Sequence, residues 1–193
     1  MSLNIVIVDY KLGNIKSVVS AFEKLGVGAE VSNDKNKILM ADGLVLPGVG
    51  SFPQAMQNLD NYSLREVLLQ YAKLNKPLLG ICLGMQILFN QSEEFSITKG
   101  LGLIDGDVIK LPIKDPLFMK LPHIGFNTVN HHLEEWRGTI LEDINNHEDF
   151  YFVHSFASSL ENETHILSTT EYSGYNFLST VKKGNIYGCQ FHP

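Results

Sequence analysis

The sequence predicts an α/β fold: a mixed, mostly parallel central sheet flanked by helices, with additional antiparallel strands, in a single domain over residues 1–193. Three observations predict it. The first half alternates short apolar runs with stretches of helical periodicity, the pattern of a parallel sheet covered on both faces. The second half changes to short β-branched or aromatic runs separated by turn residues, which read as further strands. No internal repeat, low-complexity tract or linker separates the halves.

The elements follow in order. Residues 4–8 form an apolar, β-branched run and read as the first strand. Ile15, Val18, Val19, Phe22 and Leu25 then recur at helical spacing, and Gly26 supplies a C-terminal stop. Leu44-Val45-Leu46 is a second buried strand, closed by Pro47-Gly48. Leu64, Val67, Leu68, Tyr71 and Leu74 mark a second helix, residues 77–81 a third strand, and residues 84–89 a third helix. Five later runs, 105–112, 149–156, 165–171, 175–181 and 185–191, are expected to join the same sheet. Lys182-Lys183-Gly184-Asn185 reads as a hairpin turn. Residues 130–148, which hold the lone Trp136, are polar and irregular and predict no element.

Composition narrows the function. With 44% hydrophobic and 19% charged residues, the chain is globular rather than disordered. Net charge is −6 and the longest basic cluster is a pair, so nucleic acid is not expected as a partner. No apolar run reaches the ~18 residues of a membrane span, and no signal core follows the N-terminus. The two cysteines, Cys82 and Cys189, form no CxxC and cannot make a disulfide framework. A reduced, cytoplasmic protein is expected. His131, His132, His147 and His165 lack metal-ligand spacing, and neither metal nor cofactor is expected.

The chemistry concentrates in Gly80-Ile81-Cys82-Leu83-Gly84-Met85-Gln86. A nucleophile at a sharp strand-to-helix turn needs small neighbours, and glycine stands two residues away on each side. The turn would set Cys82 at a helix N-terminus, where free N–H groups and the dipole favour a thiolate. A cysteine after an apolar strand is more often a small buried hydrophobe. Two further motifs tip the balance. His192, in Gln190-Phe191-His192-Pro193, could serve as a base for Cys82. Pro47-Gly48-Val49-Gly50 could aim backbone N–H groups at an oxyanion; the plain reading is a tight turn.

These three motifs, in this order, resemble the class I glutamine amidotransferases. More narrowly, the chain is similar to the glutaminase subunits that serve imidazole glycerol phosphate synthesis in histidine biosynthesis. The resemblance is carried also by Asp9-Tyr10, Gly13-Asn14, Ser51-Phe52, Ser92-Glu93-Glu94, Gly100-Leu101-Gly102, Pro122-His123-Ile124-Gly125 and Tyr151-Phe152-Val153-His154-Ser155. It implies a glutaminase with Cys82 as nucleophile and His192 as base. It implies Gln86, His154 and Ser155 around the bound glutamine. Val49, between Gly48 and Gly50, would supply one oxyanion N–H after its loop rearranges, and Leu83 the other. Asp9, Tyr10, Asn14, His123, Phe126 and Asn127 would lie toward a (β/α)8 synthase subunit that consumes the ammonia, forming a heterodimer.

Two departures from the family pattern stand out. The family follows His-Pro with a glutamate that orients the histidine, whereas this chain stops at Pro193, which reads as truncation. Phe126 stands where the family usually has Trp, which leaves open a relative serving sugar amidation in surface polysaccharide synthesis. A stand-alone thiol hydrolase and a non-catalytic binding subunit are the other open readings. Glu93-Glu94 is expected to be a solvated helix end, and Cys189 to face the core.

Overall fold

The side chains of the first strand, β1 (Ile5–Val8), already divide the molecule: Val6 and Val8 enter one hydrophobic core and Ile7 another. An alternating strand with both faces apolar must lie inside a covered sheet. The computed structural model describes residues 3–113, 120–133, 136–160 and 162–193.

The chain continues through α1 (Ile15–Lys24), β2 (Ala29–Ser32), α2 (Lys35–Met40) and β3 (Gly43–Gly48). Then come α3 (Phe52–Asn61), α4 (Arg65–Lys73), β4 (Leu78–Cys82) and α5 (Leu83–Gln86). The second half holds β5 (Gln91–Ser92), β6 (Thr98–Lys99), β7 (Asp107–Lys110), β8 (His123–His131), β9 (Glu148–His154) and β10 (Phe156–Ser159). It closes with β11 (Ile166–Tyr172), β12 (Tyr175–Lys183) and β13 (Ile186–Cys189).

Among the described residues, one sheet has nine strands in the order β2-β1-β3-β4-β13-β12-β11-β8-β9. The pairs from β2 through β13 are parallel and those from β13 through β9 antiparallel. Residues of α2, α3, α4 and α5 fill the core on one face. Val18 of α1 shares the other core with Trp136, Phe152 and Phe177. The Lys182-Lys183-Gly184-Asn185 turn joins β12 to β13, with Lys183 opposite Ile186 and Gly184 at φ +62°.

Three expectations need correction. Residues 105–112 do not join the large sheet, and the 149–156 run joins it only as far as His154, with Phe156 opening β10; β7 and β10 build a second sheet, ordered β10-β7-β5-β6. The helix expected over residues 84–89 is only the four-residue α5. The 130–148 stretch contributes the end of β8, the start of β9 and a buried Trp136, whose Nε1 donates to Leu167 O at 2.8 Å. The sequence reading also passed over β2, α2, α3, β5, β6, β8 and all of β10 beyond Phe156. For α2 the local signal was present: Asp34 caps it, its carboxylate accepting from Asn36 and Lys37 N–H at 2.9 and 3.0 Å.

The contact that shapes the centre lies between β3, β4 and α5. A methyl on Gly84 would collide with the Leu46 carbonyl oxygen, and one on Gly80 would meet Gly84 O at 2.6 Å. Glycine is therefore required here for close backbone approach rather than for dihedral freedom. Gly84→Ala is expected to lower unfolding free energy by about 1–3 kcal/mol, the usual range for overpacking. Urea denaturation followed by Trp136 fluorescence measures it.

Candidate active site

A parallel sheet presents its ligand sites beyond the carboxyl ends of its strands. At that edge Gly48 pairs with Cys82 on one side, and Cys189 pairs with Ile81 on the other. The next residue after β13, Gln190, thereby falls beside Cys82. The backbone of Cys82 has φ +55° and ψ −113°, a conformation that costs a non-glycine residue about 1–3 kcal/mol. The strain comes from turning straight out of β4 into α5 between the two glycines.

A cleft of about 370 Å³ opens over this turn. It is lined by Cys82, Leu83, Gln86, Val49, Gly50 and His192, and by Glu94, Pro122, Val153, His154, Ser155 and Phe156. The catalytic and glutamine-contacting candidates thus meet in one place, and Gly48 lies just beneath, in the ladder with Cys82.

Burial pushes the Cys82 thiol up to about 11, against hydrogen bonds from Leu83 N–H and the Gln190 amide that favour the thiolate. Fully enclosed Cys189, which faces the core beside α1, is pushed up to about 12 by burial and by the charge of Cys82. With α5 only four residues long, directed N–H groups act on the sulfur in place of the helix dipole expected from sequence.

His192 is anchored by its backbone, which donates to Tyr151 O at 3.0 Å, while Phe191 stacks on Phe150 at 4.2 Å. Burial lowers the His192 pKa, so the imidazole is neutral at pH 7. Its Nε2 is buried without a hydrogen-bond partner among the described residues.

The wall carrying His154 is built by a chain of neutral groups. A carbonyl can only accept, so His154 Nδ1 donates to Phe156 O at 2.9 Å. His154 Nε2 is then an acceptor, and buried His123 donates to it from Nδ1 at 3.1 Å. That leaves His123 Nε2 to accept from Asn127 Nδ2 at 3.4 Å. Each tautomer follows from the one before it. His123 also stacks on Tyr172 at 4.0 Å and Phe152 at 5.2 Å.

The segment between β3 and α3 is tied at both ends. Tyr10 OH donates to Pro47 O at 2.7 Å, and Phe52 N–H donates to Glu94 Oε2 at 2.7 Å. Between these ties Val49 is part-exposed and Gly50 has φ +106°. Glu93 and Glu94 are therefore not a solvated helix end: Glu93 Oε1 accepts from Lys110 N–H at 2.7 Å, as Glu94 accepts from Phe52. Gln190 and Glu94 are the site residues to which sequence reading gave no role. Each sits inside a quoted motif, but only tertiary structure shows what it touches.

The candidate partner residues divide by burial. Phe126 is 75% exposed, Asn14 is exposed at the start of α1, and Asp9 and Asn127 are half-buried. Tyr10 and His123 are buried, because their rings hold the Pro47 segment and the His154 wall, so neither offers its side chain to a partner. On β8 and β9, Ile124 pairs with Val153 and Phe126 with Tyr151, and all four are exposed enough to form an outward apolar strip. Among the described residues no cluster of three or more His, Cys, Asp or Glu could hold a metal ion. Among them, too, no helix is long and apolar enough to cross a membrane.

The family profile "Glutamine amidotransferase class-I" matches residues 6–193, and the chain belongs to that family. It is similar to "Imidazole glycerol phosphate synthase subunit HisH" of Listeria innocua serovar 6a: 47% identical over 189 residues, 98% of this chain and 87% of that protein. It is also similar to "Imidazole glycerol phosphate synthase subunit HisH 1" of Legionella pneumophila (strain Lens), 41% identical over 191 residues, 97% of this chain and 90% of that one. Among solved structures, a "glutamine amidotransferase" superposes with a TM-score of 0.72 at 15% identity, covering 97% of this chain and 89% of the other. PurLQS from Thermotoga maritima superposes with a TM-score of 0.70 at 18% identity, covering 100% and 88%. The two superpositions speak for the fold.

The buried histidines give a testable pH dependence. Burial lowers both His123 and His154 from 6.5 to about 4. As pH falls below 6.5 the unfolded chain takes up protons that the folded chain refuses, so stability must fall with pH down to about 4. Denaturation at pH 7, 6 and 5 should show this loss, and replacing His123 by Gln should shrink it.

Proposed function

We propose that the chain is the glutamine-hydrolysing subunit of an imidazole glycerol phosphate synthase, acting in the cytoplasm and passing ammonia to a (β/α)8 synthase subunit. One observation carries the chemistry: a strained Cys82 with Leu83 N–H directed at it, in a cleft shared with a neutral His192.

In the proposed cycle Cys82 Sγ attacks the amide carbon of glutamine and His192 takes the thiol proton. The tetrahedral oxyanion is met by Leu83 N–H and by the N–H of Val49. The leaving nitrogen takes the proton back from His192 and departs as ammonia. Water, deprotonated by His192, then attacks the γ-glutamyl thioester; the C–S bond breaks to release glutamate, and the departing Cys82 sulfur takes the proton back from His192. Gln86, His154 and Ser155 form the walls that hold the substrate. The residues supply all the acid–base and electrostatic steps, so the reaction is written without cofactor or metal.

Partner dependence follows from two features. With Pro47 and Phe52 fixed, motion of the oxyanion segment is confined to the stretch around Val49 and Gly50. A peptide flip there is sterically permitted by glycine and would switch one donor, worth about 100- to 1000-fold in rate. The strip of Ile124, Phe126, Tyr151 and Val153 borders the cleft through Val153, which favours a docked synthase over a stand-alone hydrolase.

Glutaminase activity of the chain alone should be low, and should rise at least about 100-fold with the synthase subunit and its acceptor substrate. Cys82→Ser should abolish it in both states. Phe126→Asp should weaken synthase binding by about 30-fold or more, as removing a central apolar anchor does. Full activity of the free chain, with no gain on adding partner and acceptor, would overturn this reading.

A further inference from the structure

Gln190 is fully buried and its side chain faces the reactive sulfur. Its orientation has one solution. Gln86 Nε2 can only donate, and it does so to Gln190 Oε1 at 2.9 Å and to Phe156 O at 2.9 Å. The Oε1 end of Gln190 is thereby occupied, and its Nε2 end donates to Cys82 Sγ at 3.6 Å. Flipping the Gln190 amide would set two NH2 groups against each other and turn a carbonyl oxygen toward the sulfur. The backbone leaves little freedom either, because Gln190 N–H donates to Ser179 O at 2.9 Å.

The need for such a donor is visible in the cleft. Among the described residues no Lys or Arg lines the cleft, its one carboxylate is committed to Phe52 N–H, and its two histidines are neutral at pH 7 before the thiol proton moves. Apart from the His192 imidazolium that forms when the thiol proton moves, no cation lines the cleft among the described residues, so aimed neutral dipoles must share in meeting the charge on the sulfur. Two are present, Leu83 N–H and the Gln190 amide.

We propose that Gln190 is a catalytic residue of the thiol step, its Nε2–H stabilising the Cys82 thiolate, and that Gln86 is the positioning residue that locks the Gln190 amide. The proposal rests on the reading of Cys82 as nucleophile. It gives Gln86 a second task besides walling the glutamine site, performed through the amide nitrogen.

The test is alkylation of Cys82 by iodoacetamide as a function of pH, read peptide by peptide so that Cys189 is scored separately. No glutamine or partner is needed, so substrate binding and gating do not enter. Gln190→Met removes the donor at similar volume. Gln190→Glu keeps the acceptor for Gln86 but turns an acceptor toward the sulfur, and it remains informative if the Met variant fails to fold. Either folded variant should show its alkylation midpoint raised by about one to two pH units, or about 10- to 100-fold slower labelling at fixed pH below the midpoint. Gln86→Met should raise the midpoint less. Folding of each variant is checked by the near-ultraviolet circular dichroism of Trp136. An unchanged pH profile in folded Gln190 variants would overturn the proposal while leaving Cys82 as nucleophile. A wild-type Cys82 inert at every pH would overturn both.

Discussion

The backbone of Gly84 lies against the Leu46 carbonyl with no room for a side chain, and Gly48 in turn lies against Tyr10 OH, Leu83 and the Gly84 nitrogen. Because β3 and α5 approach this closely, β4 cannot run on past Cys82. It must turn at once, and the turn forces the positive φ of that residue. The same approach holds Gly48 level with the nucleophile and fixes where the Val49 segment begins. The strain is tolerated because both neighbouring strands are central and buried, so the surroundings over-determine the turn.

The site is also nearly free of charge. Its thiol, its amides and the His154–His123 pair are linked by hydrogen bonds whose directions are each forced by a group that can only donate or only accept, while the His192 ring stands outside this network. Such a network has few alternative arrangements, and in a low-dielectric cleft its dipoles act with little screening. The one carboxylate among the described lining residues, Glu94, accepts from the backbone N–H of Phe52 and so is held to the wall that carries the Val49 segment.

What the sequence disclosed follows from what is local. The strands and helices with an uninterrupted period, β1, α1, β4 and α4, were legible, as was the Gly184-Asn185 hairpin. Cys82, His192 and the Pro47 to Gly50 segment stood out as candidates, because glycines at fixed spacing mark the close approaches around them, and the fold brings them to one cleft. The six-residue α2 and two-residue β5 and β6 were too short to show a period. The second sheet was hidden because strand periodicity says nothing about which neighbour a strand chooses. Gln190, Glu94 and the buried ring of His123 were invisible as site elements for a related reason: their partners lie between 31 and 108 positions away in the chain.

One topological fact bears on how the protein is made. β13, late in the chain, is inserted in the middle of the large sheet, between β4 and β12. During synthesis on the ribosome β1 to β4 emerge first and expose the edge of β4 until β13 arrives. Cys82 is by then already translated, but Gln190 and His192 are not. On the proposed reading, the nascent chain carries Cys82 without its Gln190 and His192 neighbours until β13 is inserted between β4 and β12. Assembly of the reactive centre is in this way a report that the whole sheet has been completed.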